Sequence, residues 1–128
     1  MTDRPGIGFD SSTGFALPGG ATRSPDLAWV TRARWEALTP RERQEFPPLC
    51  PDFVLELRSR SDSIEALQAK MGEYAANGAR LGWLIDPFQK RVYVYSPGAD
   101  VRCLESPPTI AGDPVLPGFS LELDEVWA

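Results

Sequence analysis

The chain has 128 residues and a mass of 14.1 kDa, the size of one domain, and its 42% hydrophobic content is enough to bury a core. It contains no histidine, which excludes His-based triads and His-ligated zinc or iron and leaves carboxylates, lysine and hydroxyls for any chemistry. The net charge of −5 argues against a generic nucleic-acid-coating protein, yet the whole excess lies in residues 98–128, where one basic residue meets six acidic ones.

Residues 1–13 are rich in Gly, Pro and Ser and read as a flexible N-terminal arm, which leaves 14–128 as a single domain. GFALPGGATRSPDLAWV reads as a hairpin, with a strand at Phe15–Leu17, a turn at Gly19-Gly20 and a strand from Asp26 to Val30. TRARWEALTPRERQEF predicts two short helical turns. The second is opened by Thr39 as N-cap, with Pro40 at the first helical position and Glu42 in the capping-box position.

PDFVLEL is a strand that places Phe53, Leu55 and Leu57 on one face and Asp52, Val54, Glu56 and Arg58 on the other. A helix follows. Ser61 or Asp62 is its expected cap, Gly78 its stop, and Ile64, Leu67, Met71 and Tyr74 its buried stripe. LGWLIDP and RVYVYSPG form a second hairpin, VRCLE another short strand, and the Pro-rich tail an edge strand or extended wrap held by Phe119, Leu121, Leu123 and Trp127. Strand–helix–strand over 52–86 between hairpins defines an α/β domain with a mixed sheet.

One residue breaks the apolar logic. Glu56 stands inside the run Phe53-Val54-Leu55-Glu56-Leu57, and a buried carboxylate costs several kcal/mol unless it is compensated. Asp52, four residues away on the same strand, is roughly 13 Å distant at about 3.3 Å per residue and cannot share an ion with it. Asp26 begins a different strand, and neighbouring strands lie roughly 5 Å apart, so its carboxylate can meet that of Glu56. Such a pair is a hard oxygen site suited to Mg²⁺ or Mn²⁺. Of the two lysines, Lys70 falls at the edge of the helix's buried stripe beside Tyr74, within reach of Glu56 along the sheet. Arg58 shares the face of Glu56, but a guanidinium does not deprotonate and handles a water proton poorly. A plain buried ion pair of Glu56 with Lys70 or Arg58 is the competing explanation.

The blocks SPDLAWV, PDFVLELRSRSDS, Lys70-x-x-x-Tyr74-x-x-x-Gly78 and GWLIDP, in that order, resemble the Uma-two family of restriction endonucleases within the PD-(D/E)XK nuclease superfamily. The resemblance runs from about residue 14 to the end. It implies a restriction-endonuclease-like mixed sheet flanked by helices, and divalent-metal-dependent cleavage of DNA, double-stranded in the leading reading. It also implies site roles: Asp26 and Glu56 as the catalytic and metal-binding acids, the Leu57 carbonyl as a further ligand, and Lys70 as the lysine, moved to the helix because Arg58 fills the superfamily's lysine position. Arg58 and Tyr74 then support the site. Relatives carry some tens of residues before the SPD strand, whereas this chain begins almost at that strand. The expectation is therefore an N-terminally short chain whose exposed edges are covered in a homodimer. Two rivals stand beside this reading: a catalytically silent binding or assembly module of the same fold, and a carboxylate-pair glycoside hydrolase. The two widely spaced cysteines, and the lack of a signal peptide or a membrane-length apolar run, point to the cytoplasm and to no membrane.

Overall fold

The computed structural model describes residues 6–128. Six strands form the main sheet: β1 (Gly6–Asp10), β4 (Leu27–Thr31), β5 (Phe53–Leu57), β6 (Leu81–Asp86), β7 (Arg91–Tyr95) and β8 (Arg102–Glu105), side by side in that order. Every neighbouring pair is antiparallel except β5 and β6, which run parallel and are joined by the helix α3 (Ile64–Ala76). The strand–helix–strand unit expected over 52–86 is this one.

Period-2 alternation gives the sheet two dressed faces. Ala28, Val30, Val54, Leu84 and Tyr95 meet Leu67, Met71 and Tyr74 of α3 on one side. Phe53, Leu55, Trp83, Ile85, Val92 and Val94 meet the C-terminal segment on the other. Helix α3 can approach closely because β6 carries Gly82. A β-carbon there would lie 2.8 Å from the Met71 terminal methyl and 3.3 Å from a Val54 methyl. The helix is capped by Ser63, whose hydroxyl accepts from the Ala66 amide, rather than by Ser61 or Asp62. Asp62 is already bound to Ser59. Gly78, at φ 113°, ends the helix as expected.

Three other expectations are corrected. The supposed arm is a strand from Gly6 to Asp10, paired with β4 along its length, so the domain includes it; residues 1–5 of that arm lie outside the described residues. The expected hairpin is instead a two-stranded piece, β2 (Phe15–Ala16) with β3 (Thr22–Arg23), turning at Gly19-Gly20. This frees β4 to enter the main sheet between β1 and β5. Of the two forms expected for the tail, the edge strand is not made: the tail adds no strand to the main sheet and wraps its far face instead. It makes a separate pair, β9 (Thr109–Ala111) with β10 (Ser120–Glu122), and a short helix α4 (Asp124–Trp127), which bury Leu123 and Trp127 against the far face. Between β4 and β5 lie α1 (Arg32–Glu36) and α2 (Pro40–Gln44), the latter with its Thr39–Glu42 capping box in place.

Candidate active site

The β4–β5 register brings the two acids together. Leu27 pairs with Leu55, so continuing by one residue sets Asp26 opposite Glu56, on the face that also carries Ala28 and Val54. Directly opposed side chains on one face lie about 5 Å apart at their β-carbons. The next step sets Pro25 opposite Leu57. Proline has no amide to offer the Leu57 carbonyl, and the Leu57 amide donates to Asp26 Oδ2 at 2.8 Å, which holds that carboxylate at the strand end.

Glu56 is 3% exposed and compensated from α3. The Tyr74 hydroxyl donates to Glu56 Oε2 at 2.9 Å, and Lys70 Nζ lies 3.2 Å from the same oxygen. Lys70 and Tyr74, one helical turn apart, reach the sheet from one side of α3. Burial pushes the Glu56 pKa up, with the nearby Asp26 charge adding to the rise, while Lys70 and the Tyr74 hydrogen bond pull it back. Burial, then the Glu56 charge, drives the Tyr74 pKa well above its ordinary value, so its hydroxyl stays a donor. A cleft of about 420 Å³, lined by Arg23, Ala66, Ala69, Lys70 and Glu73, opens beside the lysine, and an Arg23–Glu73 ion pair of 2.6 Å bounds it.

Arg58 does not serve Glu56. Its guanidinium turns across the sheet to Asp86 Oδ2 at 2.9 Å and also donates to the Asp62 carbonyl. Of the two cations weighed as ion-pair partners for Glu56, the contact is with Lys70. Asp52 lies at the far end of β5, where its carboxylate accepts from the Thr31 amide and pairs with Arg34 at 3.0 Å and Arg80 at 3.5 Å. It fastens strands together.

Sequence reasoning missed Asp86. The residue is fully buried, and its Oδ1 accepts from the Phe88 and Gln89 amides while Oδ2 holds Arg58. The signal was present: a carboxylate closing an apolar strand, the same anomaly that singles out Glu56.

The donor set fits a hard divalent cation. Among the described residues, no hydrogen bond reaches Asp26 Oδ1 or Glu56 Oε1, and Pro25 offers the Leu57 carbonyl no amide. No group of three or more acidic or cysteine side chains with metal-holding geometry occurs among the described residues, so a cation here would rest on two carboxylates and a carbonyl. Mg²⁺ commonly binds to one or two carboxylates, completing its shell with water and substrate phosphate.

A mixed sheet crossed by one helix, with acids at the end of adjacent strands and a helical lysine over them, defines a restriction-endonuclease-like α/β domain. The fold is similar to a solved structure from Anabaena variabilis ATCC 29413 described as "a putative nuclease belonging to DUF820". The TM-score is 0.78 at 21% identity, over 97% of this chain and 69% of that one. No curated protein matches the chain. The family model Uma2, "Putative restriction endonuclease", matches residues 1–124, and the chain belongs to that family.

Proposed function

We propose that the chain is an endonuclease that hydrolyses phosphodiester bonds of double-stranded DNA, using Mg²⁺ or Mn²⁺ held by Asp26, Glu56 and the Leu57 carbonyl. The observation that carries the reading is the placement of Asp26 opposite Glu56 with Lys70 3.2 Å from the buried acid. A bound cation supplies a lowered pKa for the attacking water and neutralises charge that develops on the phosphate. The residues do the rest. Asp26 is held by the Leu57 amide and Glu56 by Tyr74, so both carboxylates are oriented before substrate arrives. Lys70 brings a compact ammonium that orients the water and steadies the negative phosphate. Homodimerisation, which would cover one edge of the sheet, at β1 or at β8, belongs to the same reading.

A second reading has one observation in its favour. Lys70 already balances Glu56, so the pair is satisfied as a structural ion pair, and a binding module without cleavage would keep it. Plasmid incubated with the protein separates the two. Mn²⁺-dependent nicking that EDTA abolishes and Lys70→Met lacks supports the endonuclease; an intact plasmid at high enzyme and Mn²⁺ concentrations leaves the binding module.

A further inference from the structure

Just beyond the acids, two loops bring together a group with no part in the chemistry above. Arg58 follows Glu56 by two residues, about 7 Å at roughly 3.3 Å per residue. The β5–β6 register then sets it opposite Asp86, at the same end of the sheet. From the loop after β5, Arg60 places its guanidinium 5.6 Å from the centroid of the Phe88 ring, and Arg58 places its own at the same distance. Phe88 stands in the tight turn after β6 and is 47% exposed.

The two arginines are held very differently. Arg58 is neutralised by Asp86 and anchored to the Asp62 carbonyl. Arg60 is exposed, sits on the ring and pairs with no carboxylate among the described residues. Asp62, two residues on in the same loop, accepts from the Ser59 amide and hydroxyl at 2.9 and 2.8 Å and makes no ion pair with Arg60. The loop itself is fixed by those bonds and by the Asp62 amide donating to the Ser59 carbonyl. Asp86 fixes the opposing turn through the Phe88 and Gln89 amides. Two ordered loops thus hold an uncompensated cation against an aromatic platform, beside two carboxylates that would otherwise repel a polyanion.

We propose that Arg60, positioned by the Phe88 ring, binds a backbone phosphate of the DNA strand lying across Asp26 and Glu56. Phe88 is a positioning residue: cation–π attraction keeps the long arginine stem extended towards the strand without cancelling its charge. Arg58 also contacts the ring, but its charge is tied to Asp86 and it takes no phosphate. This assignment rests on the nuclease reading and adds to it the contact that registers substrate on the acids.

The test is fluorescence anisotropy of a labelled DNA duplex in Ca²⁺, a hard divalent cation that takes the same oxygen ligands, over a range of salt concentrations. Arg60→Gln should weaken binding several-fold and reduce the salt slope by about 0.9, the release of one phosphate contact. Phe88→Leu should weaken binding in the same direction, and Phe88→Trp should restore it. Arg102→Gln is the charge control, on the opposite sheet face and at the opposite end of the β7–β8 pair, and should leave the slope unchanged. A duplex-binding wild type whose slope survives in Arg60→Gln, or falls equally in Arg102→Gln, overturns the assignment and leaves the nuclease reading standing. Phe88→Leu binding as tightly as wild type overturns the role of the ring. A wild type that neither binds nor cuts DNA removes both the assignment and the reading beneath it.

Discussion

Glu56 sits among apolar neighbours and answers to three groups at once: a tyrosine hydroxyl, an ammonium, and a carboxylate that repels it. Burial is the largest of its perturbations and raises its pKa above the ordinary 4.5. Just above that pH the folded chain therefore binds more protons than the unfolded chain does. Stability without metal should fall as pH rises through the window between 4.5 and the raised value, and Glu56→Gln should lack that fall. Denaturant melts at several pH values check this, and a wild type that grows more stable through the window would show that Lys70 and Tyr74 outweigh desolvation. Lys70 has its own test. If the lysine serves chemistry, Lys70→Met and Lys70→Arg both lose cleavage while keeping Mn²⁺ binding, because a guanidinium does not reproduce a compact ammonium. If it only balances charge, Lys70→Arg retains cleavage in the same nicking assay.

At the scale of elements, strand ends carry the candidate site, and buried aspartates hold the sheet at both ends: Asp86 beside the acids and Asp52 at the far end of β5. Asp86 binds the β6–β7 turn and Arg58 together, so Asp86→Asn should cost on the order of 3 kcal/mol in a urea melt, by leaving the partly buried Arg58 charge unpaired. Asp52 pairs with two half-exposed arginines and one amide, and Asp52→Ala should cost about 2 kcal/mol. The sequence showed much of this. The apolar run of β5, the capped helix with its Leu67–Met71–Tyr74 stripe, and Glu56 as an anomaly were all legible from spacing and residue type. The pairing of β4 was not. Gly19-Gly20 is a sound turn signal, but a local turn does not say how far its strands continue, and β4 gains more from lying between β1 and β5 than from extending a small hairpin. The strand in Gly6–Asp10 was hidden for a related reason. Its glycines carry no strand propensity, and Gly6 is needed because a β-carbon there would overlap the Trp29 ring. Arg58 was placed on the correct face, but its true partner comes from the neighbouring strand, which no pattern within β5 reveals.

At the scale of the molecule, the family and the fold agree on a nuclease-type domain, and the described residues include no helix long and apolar enough to cross a membrane. The tail after β8 packs on the sheet face opposite Asp26 and Glu56, so its acidic residues lie away from the site proposed for DNA. Light scattering should report a dimer; a monomer at high concentration would count against that part of the reading. The central claim is that Asp26 and Glu56 converge on one cation, and a calorimetric titration with Mn²⁺ tests it most directly. The account predicts one binding event per wild-type chain, lost in Asp26→Ala and in Glu56→Gln and retained in Asp52→Ala. An undiminished titration in folded Glu56→Gln, or no binding by the wild type, would contradict it.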